Sequence, residues 1–317
     1  MKALHFDGKK LKLEEIDFRI NDAEAVIRIL KSGICNTDLE IVRGYAGFVG
    51  ILGHEFVGIV ERCPEVAWIG KRVVGEINVG CGVCFLCKAG DSRHCPRRTV
   101  LGIHGRDGAH AEFVSLPTRN LLEVPETITD EEAVFVEPLA AAYAITERIE
   151  IHPNTKVAVI GDGKLGLLSA LTLSLKSNNV TLIGKHQHKL AIAKGHGIET
   201  ALIEKAQKYG RLFDVVVEAS GNKTGMQMAM DIVQPKGFIV LKSTFHGETP
   251  LEMWRVVVDE ISIIGSRCGK FAPALEILKE GKIKVRELIS EIFSLDKGIE
   301  AFEAASKKGA LKILLSM

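Results

Sequence analysis

The pattern of apolar and polar positions changes once along the chain. Residues 1–120 contain short apolar runs, such as AVIRIL, FVGIV, KRVVGEI and AEFVSL, which Gly, Pro and Asp interrupt. Runs of this length between turn-forming residues are typical of β-strands. The first 120 residues are therefore predicted to be rich in β-structure.

From Asn154 onward, strand-like and helix-like segments alternate. KVAVI (156–160) is typical of a fully buried strand, a helix is predicted to end at about Leu175, and VTLI (180–183) predicts the next strand. A helix around 187–194 follows, and FDVVVEAS, GFIVLKS and SIIGS predict further strands. This alternation predicts an α/β fold in which right-handed βαβ units form a parallel sheet.

Two further segments carry helix or strand signals. The run TDEEAVFVEPLAAAYAI begins at Thr129 with a capping residue and three acidic residues, which is typical of a helix start. Near the end of the chain, a helix is predicted around 271–280, and LKILLS predicts a last strand.

Length and charge narrow the class of protein. A chain of 317 residues predicts two domains, and a net charge of +1 without a basic stripe argues against nucleic acid as a partner. No apolar run approaches the roughly 18 residues of a membrane span. The start MKALHFDGKK lacks a hydrophobic signal segment, so we expect a cytoplasmic protein with no membrane partner.

Four cysteines with the spacing C-x2-C-x2-C-x7-C lie within fifteen residues: Cys81, Cys84, Cys87 and Cys95. Four thiolates can enclose one tetrahedral zinc ion with no coordination position left open. The alternative is an iron–sulfur cluster, whose common run begins with the same spacing but closes after three residues. The longer interval before Cys95 favours a structural zinc, and nearby cations would offset its charge (Lys88, Arg93, Arg97 and Arg98).

A second group of zinc-ligand residue types is less compact. Cys35 lies in GICNTD, and His54 and Glu55 lie in GHEFVG. A catalytic zinc needs three protein ligands and one free position, and thiolate and imidazole both suit this metal. A buried cysteine and a hydrogen-bonded core histidine would give the same pattern.

The turn GDGKLG follows the predicted strand KVAVI and precedes a predicted helix. Its glycines form the G-x-G-x-x-G pattern, in which Gly161 permits a tight turn, Gly163 admits the pyrophosphate of a dinucleotide, and Gly166 lets the helix pack on the strand. Lys164 and Leu165 complete this loop, and the helix N-terminus would bind the phosphates.

The end of the second strand favours NADP(H) over NAD(H). NAD sites usually carry Asp or Glu there, but this chain has Gly184, Lys185 and His186, followed by Lys189. Several cations and no carboxylate favour a 2′-phosphate. The alternative is that the lysines are ordinary solvated residues and NAD binds. Ser220, at the end of FDVVVEAS, is also assigned to the cofactor site.

Taken together, GHE-x2-G-x-V, the upstream Cys-x-Thr-Asp, the four-cysteine segment and GxGxxG resemble the zinc-dependent medium-chain alcohol dehydrogenases, and within them the polyol, sugar and threonine dehydrogenase branch. The resemblance covers essentially the whole chain. It implies that Cys35 and His54 bind a catalytic zinc, that Glu137 in VEPLA is a further ligand, and that either Glu55 or water completes the shell.

The implied activity is reversible oxidation of an alcohol to a carbonyl, with zinc lowering the pKa of the substrate hydroxyl and nicotinamide accepting the hydride. Thr37 matches the residue that hydrogen-bonds the reacting oxygen in this family. Many relatives have a histidine as the outer end of a proton relay where this chain has Glu40; its carboxylate could be the terminal base, or the relay could run through water.

The resemblance also implies an architecture. Residues 1–128 and 267–317 would form a GroES-like β-barrel catalytic domain with a zinc lobe at 81–95, and residues 129–266 a Rossmann domain of doubly wound parallel sheet. Two zinc ions per chain, a small-molecule substrate between the domains and a homodimer or homotetramer are expected. A polar, polyhydroxy substrate is favoured by analogy.

Two other functions fit parts of the pattern. One is a zinc-free quinone or enone reductase of the same superfamily, in which Cys35, His54 and the cysteine lobe would have no role. The other is a non-catalytic binding protein stabilised by zinc, in which only the four cysteines would be functional.

Overall fold

A computed structural model of the chain describes residues 1–44, 47–244, 249 and 251–317. The chain divides into two compact units. The first comprises Met1–Glu137 and Ala274–Met317, and the second comprises Pro138–Pro273.

The first unit is built mainly from strands, as its interrupted apolar runs predict. They are β1 (Lys2–Phe6), β2 (Leu11–Glu15), β3 (Ala25–Ile34), β4 (Gly50–Ile51), β5 (Glu55–Arg62), β6 (Arg72–Gly75), β7 (Asn78–Val79), β8 (Thr99–Leu101), β9 (Gly105–Arg106), β10 (Phe113–Leu116), β11 (Leu121–Glu123), β18 (Ile289–Ser294) and β19 (Lys312–Ser316).

These strands form three sheets. The largest has the order β11-β6-β5-β3-β19-β18, with β10 also paired to β3; the two smaller sheets have the orders β2-β1-β4 and β7-β8-β9. Strand β19, from the end of the chain, thus lies between β3 and β18, and it pairs antiparallel with β3. Residues near the two ends of the sequence therefore share one core, which includes Leu4, Ile34 and Leu315.

The helices of the first unit are short. They are α1 (Asn36–Val42), α2 (Phe85–Lys88), α3 (Asp130–Ala133) and α10 (Gly298–Ser306). The predicted helix start at Thr129 is confirmed, because Thr129 and Glu132 form a capping box at α3. The following helix, α4 (Val136–Tyr143), begins in the first unit and continues into the second.

The second unit contains one parallel sheet of six strands: β12 (Lys156–Ile160), β13 (Asn179–Gly184), β14 (Glu199–Leu202), β15 (Phe213–Glu218), β16 (Val233–Leu241) and β17 (Ser262–Gly265). Their order is β14-β13-β12-β15-β16-β17, and every pairing is parallel. Numbered within the unit this is 3-2-1-4-5-6, the doubly wound Rossmann order. The predicted parallel sheet is confirmed.

Helices connect these strands as the sequence predicts. They are α5 (Lys164–Ser174), α6 (Gln187–Gly195), α7 (Lys223–Ile232) and α8 (Met253–Val258), and α9 (Phe271–Lys279) leads back to the first unit. In the described ranges, every helix is too short or too polar to cross a bilayer.

The boundaries between the two compact units lie after residues 137 and 273. Both are later in the chain than the predicted boundaries after residues 128 and 266. Asp130 pairs with Arg72 at 3.0 Å and Glu131 with Lys31 at 3.3 Å, so the start of the predicted Rossmann segment packs with the first unit. On the other side, the carbonyl of Arg267 accepts a hydrogen bond from Lys242 at 2.9 Å, which holds this residue in the second unit.

Candidate active site and metal centres

Two adjacent strands bring the first group of ligand residues together. Cys35 follows β3 and is the N-cap of α1, while Glu55 is the first residue of β5 and His54 precedes it. The antiparallel pairing sets Gly33 opposite Glu55, so the end of β3 and the start of β5 are neighbours. One ligand atom each of Cys35, His54 and Glu55 lies within 4.8 Å of the others.

Glu55 has a buried partner that the sequence analysis did not identify. Lys312 donates a hydrogen bond from Nζ to Oε2 of Glu55, and each side chain is only 1% exposed. The other oxygen, Oε1, has no hydrogen-bond partner among the residues that the structure describes. Glu55 can therefore hold Lys312 with one oxygen and offer the other to a metal.

Burial and neighbouring anions act in opposite directions on Lys312. Burial lowers the pKa of Lys312, but Glu55, Cys35 and Glu137 raise it to a net value above that of a free lysine. The ammonium group therefore stays charged beside the ligand group. In the sequence, the only sign of this buried lysine is its position inside the apolar run LKILLS.

Asp38 was also missed, although it lies in the quoted GICNTD motif. Its side chain is fully buried, and its Oδ1 lies 3.3 Å from Nδ1 of His54. Oδ2 accepts a hydrogen bond from the backbone N–H of Cys35 at 2.8 Å. Asp38 therefore lies beside Nδ1 of His54, and Nε2 is the ring nitrogen on the side away from this carboxylate oxygen.

The two charges of this pair stabilise each other. Burial raises the pKa of Asp38, but His54 and His110 lower it below the ordinary value of an aspartate. Burial likewise lowers the pKa of His54, whereas Asp38 and Cys35 raise it well above its usual value. A metal ion at this group would replace the proton on His54.

The other predicted residues of this site lie on two helices. Thr37 is half-buried on α1, with its Oγ1 3.8 Å from Sγ of Cys35. Glu40, also on α1, forms an ion pair with Arg43 at 2.7 Å. Glu137 is buried on α4, but the group within 4.8 Å does not include it.

The four cysteines of the lobe also come together, as their spacing predicts. Their sulfur atoms lie within 4.8 Å of one another, and Sγ of Cys84 is 3.7 Å from Sγ of Cys95. Four sulfurs about 2.3 Å from a zinc ion at the corners of a tetrahedron lie about 3.8 Å apart. An iron–sulfur cluster would spread the sulfurs farther, because several metal atoms lie between them. The geometry therefore fits zinc.

Cys81 and Cys87 of the lobe differ in their hydrogen-bond donors and in the pKa values of their thiols. The backbone N–H groups of Val83 and Cys84 lower the pKa of the Cys81 thiol to about 6, and Arg97 donates to its sulfur at 3.3 Å. Desolvation, by contrast, raises the pKa of Cys87 to about 11. The pKa shifts of Cys81 and Cys87 are therefore opposite in direction.

In the second unit, the glycine loop joins β12 to α5. Gly161 has φ +116°, and a Cβ there would lie 2.5 Å from the carbonyl oxygen of Ala219. A Cβ on Gly166 would overlap the carbonyl of Gly161, whereas no atom of the described chain lies within 4 Å of the same position on Gly163. Gly163 is the N-cap of α5, whose first residues are Lys164 and Leu165. Of the three glycines, only Gly163 therefore has open space at its Cβ position, at the N-terminus of α5.

The turn after β13 contains a carboxylate that the sequence analysis did not place there. Asp162, from the glycine loop, accepts hydrogen bonds from the backbone N–H groups of Lys185 at 2.7 Å and His186 at 2.6 Å. Its two oxygens also lie 3.1 Å from Nδ1 of His186. A Cβ on Gly184 would lie 2.5 Å from Cβ of Asp162. Asp162 thus occupies the space that a side chain at residue 184 would need.

The remaining predicted cofactor residues differ in exposure. Lys185 is exposed, whereas Lys189 is only 5% exposed, and burial lowers the pKa of Lys189 against the opposing effect of Asp162. Burial raises the pKa of Asp162, but His186 and Lys185 lower it to a net value below that of a free aspartate. Ser220, after β15, donates to Glu218 at 2.5 Å.

Two protein-family models match the chain. One, described as the alcohol dehydrogenase GroES-like domain, matches residues 21–126, and the other, described as zinc-binding dehydrogenase, matches residues 165–280. Among curated proteins, sorbitol dehydrogenase of Halalkalibacterium halodurans is 30% identical, over 100% of this chain and 98% of the relative. L-Threonine 3-dehydrogenase of Legionella pneumophila (strain Corby) is 26% identical, over 95% of this chain and 94% of the relative.

Solved structures agree with this assignment. The alcohol dehydrogenase RspB of Escherichia coli CFT073, complexed with NADH, superposes with a TM-score of 0.91 at 26% identity, over 100% of this chain and 99% of that chain. The GroES-like and Rossmann folds are thereby confirmed, and neither the enone reductase nor the non-catalytic alternative is favoured. The chain belongs to the zinc-dependent medium-chain alcohol dehydrogenase family, whose members are NAD(P)-dependent oxidoreductases.

Proposed function

We propose that this chain oxidises a secondary alcohol of the polyol or sugar type to a carbonyl, reversibly, with two zinc ions per chain and NADP(H) favoured over NAD(H). The observation that carries the proposal is the convergence of Cys35, His54 and Glu55 within 4.8 Å. Thiolate, imidazole and carboxylate are the three ligand types of catalytic zinc sites.

The donor atoms of this group fit a metal. Oε1 of Glu55 is buried without a hydrogen-bond partner in the described part of the chain, and a buried polar atom of this kind calls for a ligand. Oδ1 of Asp38 lies 3.3 Å from Nδ1 of His54, and Nε2 is the nitrogen proposed to bind the metal. Glu137, buried and near enough to raise the pKa of Lys312, is the proposed fourth protein residue of the site.

When bound, zinc supplies a Lewis acid that lowers the pKa of an alcohol hydroxyl. Thr37 is the proposed hydrogen-bond partner of the reacting oxygen, because its hydroxyl is half-buried 3.8 Å from Sγ of Cys35. Glu40 remains the proposed outer base. Since Arg43 already holds its carboxylate at 2.7 Å, a proton route through water is the alternative.

Metal analysis of single variants tests the metal site. Cys35→Ala is expected to lose one zinc per chain and dehydrogenase activity, while Cys84→Ala is expected to lose the other zinc and stability. Two zinc ions in Cys35→Ala, or one in the unmodified protein, would contradict the proposed stoichiometry.

For the cofactor, the open space at Gly163 and the N-terminus of α5 support a pyrophosphate site. The 2′-phosphate of NADP would interact with the exposed ammonium of Lys185 and the ring of His186. Asp162 keeps its negative charge beside this turn, and N–H groups of the turn engage its carboxylate oxygens. The proposed preference differs from the NADH found with RspB at 26% identity.

Titration of the zinc-loaded protein with NADPH and NADH, followed by nicotinamide fluorescence, tests the preference. Lys185→Ala is expected to weaken NADPH binding about tenfold, the value of one charge-assisted hydrogen bond, and to leave NADH binding unchanged. Lys194→Ala, at an exposed lysine in the last turn of α6, is the matched control. Tighter NADH binding by the unmodified protein would make the NADP proposal wrong.

The substrate class rests on the relatives. Sorbitol dehydrogenase and L-threonine 3-dehydrogenase are named for substrates with a secondary hydroxyl beside polar groups. A screen of polyols, aldoses, amino alcohols and simple alcohols at equal concentration tests this choice. We expect the largest kcat/KM among polyols or sugars, and a preference for simple alcohols would contradict it.

A homodimer or homotetramer is also proposed. Helix α8 exposes four large apolar side chains, Met253 (60%), Trp254 (61%), Val257 (73%) and Val258 (70%), and β17 is the last strand in the order of its sheet. Val257→Asp is expected to reduce the mass measured by light scattering, and Val66→Asp, at a residue 75% exposed in the first unit, is the control. A monomeric unmodified protein would exclude this part of the proposal.

A further inference from the structure

We propose that His110 is a positioning residue for the catalytic metal: it fixes Asp38, and Asp38 in turn fixes the metal ligand His54. The inference rests on the proposed function, because it assumes that Cys35, His54 and Glu55 bind the metal. The observation behind it is a chain of four buried side chains, Ser32–His110–Asp38–His54.

The distances define this chain. Nδ1 of His110 lies 2.9 Å from Oγ of Ser32, and Nε2 lies 3.5 Å from Oδ2 of Asp38. Oδ1 of Asp38 is 3.3 Å from Nδ1 of His54. His110, Asp38 and Ser32 are each 0% exposed, and His54 is 3% exposed, so water does not compete for these groups.

The arrangement assigns a tautomer to His110. The hydroxyl of Ser32 can rotate to donate its hydrogen to Nδ1, which leaves the hydrogen of His110 on Nε2, facing Asp38. Asp38 then accepts a hydrogen bond from the backbone N–H of Cys35 and faces ring nitrogens of His54 at 3.3 Å and His110 at 3.5 Å. A buried carboxylate held by one backbone N–H and placed between two imidazoles is restricted in orientation, and it restricts the imidazole of His54 in turn.

The surrounding backbone and side chains hold His110 in one position. Gly53, the residue before His54, has φ +98°, and a Cβ there would lie 2.6 Å from Cγ and Nδ1 of His110. The backbone N–H of His110 donates to the carbonyl of Leu52 at 2.9 Å, and the ring meets Phe302 edge-on with centroids 5.7 Å apart. The imidazole therefore packs directly against the backbone that carries His54 and has little freedom to turn.

Cobalt(II) titration of protein with zinc in the cysteine lobe tests the role of His110. His110→Phe keeps an aromatic ring at this position but removes both ring nitrogens. It is expected to weaken cobalt binding at the Cys35–His54 site about tenfold and to shift the visible absorption of the bound cobalt. His110→Gln keeps an N–H near the position of Nε2 and is expected to restore both. His104→Phe, at an exposed histidine of the same segment, should change neither.

Retained lobe zinc and an unchanged melting temperature show that a variant is folded. Should His110→Phe fail this check, Ser32→Ala decides the question, because it removes only the hydroxyl that sets the tautomer. Weaker cobalt binding by Ser32→Ala then supports the proposal, and unchanged binding overturns it.

The proposal is also wrong if folded His110→Phe binds cobalt with unchanged affinity and spectrum. Failure of the proposed function looks different: the unmodified protein itself would then bind no metal beyond the lobe, which would overturn both.

Discussion

Lys312 and Glu55 form an ion pair between two side chains that are each 1% exposed. One residue begins β19 and the other begins β5, and both strands lie next to β3 in the large sheet. Gly33 of β3 permits the pair, because a Cβ there would lie 2.5 Å from Oε2 of Glu55. A buried pair at a metal site sets the charge of the site as well as its packing.

Removing one partner should be costly. In protein without metal at the Cys35–His54 site, Lys312→Met is expected to lower the free energy of unfolding of the first unit by about 3 kcal/mol, because Glu55 stays buried without a counter-charge. Glu55→Gln in the same chain should recover most of this loss. The measurement is urea unfolding followed by Trp68 fluorescence in a Trp254→Phe background, since Trp68 is then the only tryptophan.

The matched control is an exposed pair. Lys279 and Glu276 are 49% and 61% exposed, and Lys279→Met should change the free energy of unfolding by less than about 0.5 kcal/mol. If Lys312→Met and Lys279→Met behave alike, the buried pair does not stabilise the first unit.

The close contact between Asp162 and Gly184 predicts how cofactor choice can be changed. Gly184→Asp alone should weaken both NADH and NADPH binding, because the new Cβ would lie 2.5 Å from Cβ of Asp162. The double variant Asp162→Gly/Gly184→Asp removes the Cβ of residue 162, and with it this clash, and it places a carboxylate at the end of β13. The double variant should bind NADH at least about tenfold more tightly than NADPH, because the new carboxylate can accept hydrogen bonds from the ribose hydroxyls of NADH.

Asp162→Gly alone is the control for this pair of changes. It should loosen the turn of Lys185 and His186 and weaken NADPH binding without creating an NADH preference. Equal NADH preference in Asp162→Gly and in the double variant would show that the new carboxylate at residue 184 does not contact the cofactor.

Arg97 should slow the release of zinc from the lobe. Its Nη2 donates to Sγ of Cys81 at 3.3 Å, and the pKa of this thiol is lowered to about 6. Arg97→Ala removes one donor to the thiolate and is expected to speed transfer of zinc to a colorimetric chelator about threefold. The expected effect is smaller than the effect of removing a fully buried hydrogen-bond partner, because the contact of Arg97 with Cys81 is exposed. Lys88→Ala removes the same charge from the same lobe, and an equal rate in both variants would exclude a specific N–H···S effect.

The pair of Glu24 with Arg106 predicts a pH dependence. Arg106 donates to both oxygens of Glu24 at 2.8 and 2.9 Å, and Ser115 donates at 2.8 Å. Burial raises the pKa of Glu24, but Arg106 and Ser115 lower it to a net value below the ordinary one. The unfolded chain therefore binds this proton first, so the stabilisation is complete above about pH 5 and is lost as the pH falls through the folded-state pKa.

Glu24→Gln should lower the free energy of unfolding at pH 7 by about 2 kcal/mol, and its difference from the unmodified protein should shrink below about pH 4. Urea unfolding between pH 3 and 7 measures this difference. Glu61→Gln, in an exposed pair with Arg28, should show little effect at any pH. A difference for Glu24→Gln that is independent of pH would contradict the assigned ionisation.

Elements whose signals are local were predicted well from the sequence. The strand at 156–160, the glycine loop and the capped helix start at Thr129 depend on residues within a few positions of one another. The cysteine lobe is similar, because its spacing already confines four sulfurs to a short segment. Their geometry could be predicted without knowledge of the rest of the chain.

Contacts between distant segments could not be predicted in this way. Lys312 and Glu55 are 257 positions apart, and only the position of β19 beside β3 brings them together. Asp162 reaches the turn at Gly184 because parallel strands β12 and β13 end side by side. The sequence shows a glycine where a carboxylate is usual, but not that another carboxylate fills the vacated space.

The place of β19 in the large sheet also constrains when the metal site can mature. This strand follows the entire second unit in the chain, yet it supplies the counter-charge for Glu55 and pairs with one edge of β3. During synthesis, Cys35, His54 and Glu55 leave the ribosome long before Lys312 does. The site can therefore be completed only after the dinucleotide-binding unit has been made, so a chain that stops before β19 would carry every metal ligand and still lack a stable place to bind the metal.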